Sequence, residues 1–165
     1  MTIQEIHPPQ LGQVLKSVSD PEIPVLSVLD MGVIRRVELK ERLVEVDITP
    51  TYSGCPAMDT IAADLRKALA TAGYESKIKL VLSPAWTTDW ITLEGRKKLE
   101  EYGIAAPLGV GKDKSALLGE SGLVACPQCG SQNTRLINRF GSTACKALFQ
   151  CNDCLEPFDY FKCLK

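Results

Sequence analysis

Two cysteine pairs near the C-terminal end carry the plainest chemistry in the sequence. Cys126-Pro127-Gln128-Cys129-Gly130 and Cys151-Asn152-Asp153-Cys154 are CxxC knuckles with 21 residues between them. Each knuckle folds its backbone so that two thiolates face one ion. Pro127 presets the turn, and Gly130 supplies a permissive φ after the second sulfur. Four thiolates in tetrahedral array suit Zn²⁺. The gap is slightly longer than the usual zinc-site spacing, which a longer β-hairpin within 134–150 absorbs. The expected cofactor is one structural zinc on Cys126, Cys129, Cys151 and Cys154. A rubredoxin-like iron site uses the same knuckles and is the alternative. Cys145 and Cys163 are left over and read as small buried hydrophobes. Their alternative use is a second thiolate pair for transient metal or cluster binding.

Cys55 is the one cysteine of seven outside this C-terminal group. It follows a strand in Thr49-Pro50-Thr51-Tyr52-Ser53-Gly54-Cys55-Pro56. Pro56 suits the first position of a helix, which makes Cys55 the N-cap. The helix dipole and unpaired backbone N–H groups there favour thiolate, so a depressed pKa is expected. A structural cysteine serving as a modest cap is the plain alternative. The only histidine, His7, lies beside Pro8 and Pro9, so no mechanism needing two histidines is available. Without a histidine base near Cys55, protease or hydrolase chemistry is disfavoured. Metal binding, sulfide binding and thiol exchange need no such base. There is also no nucleotide-binding glycine loop, so independent enzymatic activity is not expected. Ser19-Asp20-Pro21-Glu22-Ile23-Pro24 places two carboxylates, Asp20 and Glu22, in a stiff loop that otherwise reads as a helix-stop turn. Pro84-Ala85-Trp86-Thr87-Thr88-Asp89-Trp90 carries two tryptophans suited to a core, an interface or both.

These groups sit on a chain of 165 residues with 19 Lys+Arg against 20 Asp+Glu, net −1. That balance gives no global attraction to nucleic acid or anionic membrane. From Leu123 onward, five Lys/Arg face three Asp/Glu, and a zinc ion with four thiolates contributes about −2, which cancels the excess. No basic stripe remains for phosphates, so no nucleic-acid partner is expected. The ribbon reads instead as a protein-docking module, with Phe158, Tyr160 and Phe161 as contacts or as its small core. The N-terminus has no basic and apolar signal pattern, and no apolar run reaches the roughly 20 residues of a membrane span. An odd cysteine count without a signal fits a reducing cytoplasm.

The elements that must position these residues divide in two. Leu11, Val14, Leu15 and Val18 follow helical spacing up to Ser19-Asp20-Pro21. Val33–Leu39 is rich in β-branched residues. Val44, Val46 and Ile48 alternate with polar residues as a half-buried strand, joined to the first by a turn at Lys40-Glu41-Arg42. Met58, Ile61, Ala62, Leu65, Leu69 and Ala72 form one helix face, stopped by Gly73. Ile78, Leu80 and Leu82 alternate as a third strand. Thr92 caps a last helix from Leu93 to Tyr102, closed by Gly103. The expected fold class is α+β, a small mixed sheet with helices packed on it, followed by a zinc-ribbon hairpin. The expected organisation is a first domain over 1–105, a glycine-rich linker over 106–122 in which Ala116-Leu117-Leu118 could dock, and a ribbon over 123–165. The ribbon has 43 residues and few apolar ones, so it needs its metal to fold.

DPEIP, then Leu29-Asp30-Met31-Gly32-Val33-Ile34, then a strand into Gly54-Cys55-Pro56, resembles the iron–sulfur assembly domain typified by SufT, found also in the eukaryotic cytosolic iron–sulfur targeting subunit. Over nearly the whole chain, TPTYSGCPAMDTI, PAWTTDWIT, EGRKKLEEYGIAAP, GSTACKALFQC and EPFDYFKC resemble the D-subunit family associated with phenylacetyl-CoA epoxidase. Met31 stands where relatives of the general domain usually have Leu, a volume-conserving difference. The resemblance implies an accessory role in maturing a multicomponent oxygenase of phenylacetate catabolism. It implies Cys55 as the key thiol, holding transient iron or an iron–sulfur cluster, with Asp20 and Glu22 beside it. The implied partners are the di-iron oxygenase and the iron–sulfur reductase component. The alternative is a structural or regulatory subunit bound stably to the oxygenase without metal transfer, and a homodimer is a further partner to test for.

Overall fold

The computed structural model describes residues 6–162, and the chain divides into two compact units. The first takes residues up to Trp86 together with Trp90–Gly95; the second takes Thr87–Asp89 and everything from Arg96 onward.

In the first unit, α1 (Pro9–Lys16) buries Leu11 and Leu15 completely. Strands β1 (Ile34–Lys40) and β2 (Leu43–Ile48) pair antiparallel, and β3 (Glu75–Leu80) pairs parallel with β2, giving the order β1-β2-β3. The expected alternation is realised in β2. Val44, Val46 and Ile48 face the core at 0–1% exposure. Glu45 and Asp47 face solvent in a ladder with Arg36 (2.8 Å to Asp47) and Lys40 (3.0 Å to Glu45). Helix α2 (Ala57–Thr71) packs on β3 and α1 through Met58, Ile61, Leu65 and Leu69. Gly73, at φ 84°, turns the chain out of α2 into β3, where a residue with a Cβ would be strained.

Two side chains close this unit. Trp86 is 2% exposed and donates its indole N–H to the Met31 carbonyl at 2.9 Å, which makes it core. Trp90 is partly buried beneath the Arg35 guanidinium, 3.5 Å from the ring centre. The Asp30 carboxylate accepts from Ser27 Oγ at 2.8 Å and from Thr92 Oγ1 at 3.4 Å, while Thr92 caps the next helix by accepting from the Gly95 N–H at 2.9 Å. That helix, α3 (Leu93–Glu101), ends at Gly103, φ 90°.

The second unit is built on a sheet of order β4-β7-β6-β5: β4 (Ile104–Ala105), β5 (Thr134–Asn138), β6 (Lys146–Cys151) and β7 (Pro157–Phe161). The hairpin β5–β6 is the expected one. Strand β4, paired parallel with β7, and a helix, α4 (Val110–Leu117), go beyond the sequence expectation. The segment read as a glycine-rich linker, 106–122, thus holds a helix, and the ribbon's unit begins well before Leu123. The physical reason lies in two residues. Ala116 is fully buried in the ribbon's core with Val124, Ala147, Phe149, Phe158 and Tyr160. Asp113, 5% exposed, accepts from Thr88 Oγ1 and from the Leu108 N–H, each at 2.8 Å, and from the Tyr160 hydroxyl. A buried carboxylate satisfied by three donors holds a segment that composition alone marks as loose.

Phe158, Tyr160 and Phe161 are 0–4% exposed, and Phe149 stacks on Phe158 (5.9 Å) and meets Tyr160 edge-on (5.4 Å). They are core, not docking contacts. Cys145 is buried too, 3.1 Å from Thr143 Oγ1. Cys163 lies outside the described residues. Among the described residues, no helix is long and apolar enough to cross a membrane.

Candidate functional site

Cys55 sits where β2 gives way to α2. Its backbone N–H donates to Tyr52 O at 3.2 Å, and its carbonyl accepts from the Met58 N–H at 3.4 Å. The helix cap falls on Pro56 rather than on Cys55, one residue later than expected, with Ala57 first in the helix. The thiol still receives the Ala57 N–H, so the helix start does favour thiolate. The net direction is nevertheless upward, which corrects the expected depression. Half-burial pushes the Cys55 thiol above its ordinary range, and the negative charges of Glu22 and Asp20 push it further. The Ala57 N–H and the Thr51 hydroxyl oppose this and are outweighed.

The same balance shows what the fold brings together. The Asp20-Pro21-Glu22 loop and the Cys55 loop are far apart in sequence, yet both carboxylates act on the thiol. The loop is held by Asp20 itself. Its Oδ1 accepts from the Glu22 and Ile23 N–H groups, both at 2.8 Å, and the residue is 4% exposed. Asp20 is therefore a positioning group as well as a charge. Thr51, 8% exposed, is a contributor that sequence reasoning misses. Its only sequence signal is its place four residues before Cys55. Half-burial and the two carboxylates thus act together against the Cys55 thiolate.

The four knuckle cysteines converge in the second unit. Their sulfurs all lie within 4.8 Å of one another. Cys126–Cys154 (3.7 Å) and Cys129–Cys151 (3.6 Å) each join one sulfur from each knuckle. Zinc–sulfur bonds of about 2.3 Å in a tetrahedron put sulfurs about 3.8 Å apart, so the donor set fits zinc in type and in spacing. Gly130, φ 74°, donates its N–H to Cys126 O at 2.8 Å and closes the first knuckle. Asp153 ties the second knuckle to the first, accepting from Ser131 Oγ and from Asn133 Nδ2 (2.7 Å). The Cys154 N–H, with other donors, brings Cys151 down to about 7. Cys154 receives the Glu156 N–H, yet burial and its sulfur neighbours push it up to about 12.

Fold and site together define an iron–sulfur assembly domain joined to a four-thiolate zinc ribbon. Residues 10–79 match the family described as iron-sulfur cluster assembly protein, and residues 111–162 match the PaaD zinc beta ribbon domain. A protein of Escherichia coli (strain K12), provisionally named as the D component of 1,2-phenylacetyl-CoA epoxidase, is 46% identical over 163 residues, 96% of each chain. The chain belongs to this PaaD family. An Fe-S protein maturation auxiliary factor of Porphyromonas gingivalis is 38% identical over 90 residues, 53% of this chain and 85% of that one. A crystallised domain of unknown function, DUF59, from Bacillus anthracis superposes with a TM-score of 0.51 at 26% identity, covering 55% of this chain and 88% of that one.

Proposed function

We propose that this chain is an accessory maturation factor for the multicomponent phenylacetyl-CoA epoxidase, loading iron or an iron–sulfur cluster into an oxygenase component. The observation that carries the reading is the match of both modules, in one chain and nearly end to end, to a relative whose name ties it to that epoxidase. The first module's match to iron–sulfur assembly proteins supports cluster or iron as the cargo.

In this reading the cargo is substrate, and Cys55 is its ligand. Asp20 and Glu22 hold the thiol proton in place while no cation is present, and they attract the cation that displaces it. Thr51 and the Ala57 N–H stabilise the thiolate once it forms. The zinc on Cys126, Cys129, Cys151 and Cys154 is structural: closed by four protein ligands, it offers no open position for chemistry. The ribbon recognises the client, and the working compartment is the cytoplasm. Of the aromatic residues that favour a stably bound structural subunit, Phe158, Tyr160, Phe161 and Trp86 are buried in the core and Trp90 is partly buried.

The test compares cells carrying the wild-type chain with cells carrying Cys55→Ser. Iron and sulfide in the purified oxygenase and reductase components should fall with the variant, while its own zinc content stays at one per chain. Client metal content unchanged by Cys55→Ser overturns the reading.

A further inference from the structure

The two knuckles are alike except at the residue after the second cysteine. Gly130 follows Cys129, and Leu155 follows Cys154. Both adopt a left-handed backbone, φ 74° and φ 65°. Glycine does so freely, whereas a leucine there sets its Cβ against the following carbonyl. Burial does not repay the strain, because Leu155 is 67% exposed. Leu155 therefore stands as a strained, exposed, apolar side chain beside the second knuckle.

Residues 123–134 and 151–157 contain no Lys or Arg and include Asp153 and Glu156, while the flanking Arg135 is held by Gln150 Oε1 at 2.7 Å. A zinc ion on four thiolates adds about −2. Within the same unit, a cavity of about 310 Å³ opens beside the first knuckle, lined by Leu108, Val124, Cys126 and Pro127, with Glu100 among its walls. The hydrogen bonds from Ser131 and Asn133 to Asp153 lock the two knuckles together, so the face is preorganised.

We propose that the knuckle end of the ribbon is the docking face for the client. The partner is a protein component of the epoxidase that presents an apolar cleft for Leu155, rimmed by Lys and Arg, and returns an apolar side chain to the cavity. The charge selects the partner class: an anionic face repels nucleic acid and anionic lipid and steers toward a basic protein surface. The inference rests on the maturation reading and names the surface through which it works.

The experiment titrates the full-length, zinc-loaded chain against each purified component, oxygenase and reductase, by calorimetry at low and high salt. Leu155→Gly removes the knob and relieves the backbone, so its thermal midpoint should hold or rise while affinity falls about tenfold or more. Glu156→Lys should weaken binding at low salt, and the difference should shrink at high salt. If a component binds wild type and both variants equally, the docking face is wrong and the maturation reading stands. If neither component binds wild type, the partner assignment fails, and this inference fails with it. A Leu155→Gly chain that loses stability also overturns the inference, because the leucine is then a structural residue.

Discussion

Replacing Asp113 by alanine tests how the segment 106–122 is held. Thr88 and Tyr160, the two hydroxyl donors to its carboxylate, are each 0% exposed, so Asp113→Ala leaves two buried hydroxyls without that acceptor. The Leu108 N–H keeps the Tyr160 hydroxyl as an acceptor at 3.3 Å. Each orphaned buried group costs roughly 1–3 kcal/mol, so the loss is about 2–6 kcal/mol. Set against the roughly 5–15 kcal/mol that holds a typical domain together, that is a large fraction. Asp113→Asn is milder. Its amide oxygen still accepts from Leu108 and Tyr160, and its amide nitrogen can face the Thr88 hydroxyl, which accepts as well as donates. The assay is urea denaturation of the zinc-loaded chain, with hydrogen exchange of 107–118 read by mass spectrometry. Asp113→Ala should accelerate exchange in α4 by at least about thirtyfold, the equivalent of the lower bound on the loss. A loss below about 1 kcal/mol with unchanged exchange refutes the argument, because the carboxylate then carries no net weight.

Three further outcomes follow from the same structure. Chelation of the ribbon metal, or Cys126→Ser, should unfold the second unit and abolish the one equivalent of zinc seen by elemental analysis, because such sites supply about 10–16 kcal/mol of folding free energy. Alkylation of Cys55 in the zinc-loaded chain should be slow at neutral pH and accelerate only as the pH climbs past the usual cysteine range; Glu22→Gln should move that profile to lower pH, and an unmoved profile would show that the carboxylate does not act on the thiol. Gly32→Ala should destabilise the first unit by more than about 2 kcal/mol in thermal denaturation, because a Cβ there meets the Trp90 carbonyl and lies 2.8 Å from the Trp90 Cβ, at a φ of 70° that side chains resist.

Local chemistry is legible in the sequence. Alternation at Val44, Val46 and Ile48, the stops at Gly73 and Gly103, the Thr92 cap and the CxxC spacing each depend on residues within a turn or two of one another, and the structure carries all of them. What escapes depends on partners far along the chain. Nothing near Asp113 announces that Thr88 and Tyr160 will meet it, 25 and 47 residues away. The two-residue strand Ile104–Ala105 exists because β7 offers it an edge. The Cys55 thiol is the instructive case. The helix start favours thiolate, as its local sequence implies. Burial and two carboxylates from another loop reverse the sign, and neither can be computed from the residues around position 55. The ribbon aromatics follow the same logic: composition does not say that Ala116 and Val124 will cover them.

The seam between the two units has a consequence for how such a protein could arise. The chain enters the second unit at Thr87, returns to the first for Trp90–Gly95, and leaves it for good at Arg96. Two ready-made genes joined end to end leave a seam at one point. Here the seam is a braid, in which Thr88 serves one unit and Trp90 and Thr92 serve the other. No single crossover parts the two units cleanly: one before Thr87 passes on the second unit with Trp90–Gly95 of the first attached, and one after Gly95 passes on the first with Thr87–Asp89 of the second attached. Whichever unit is passed on whole takes a short piece of its neighbour with it.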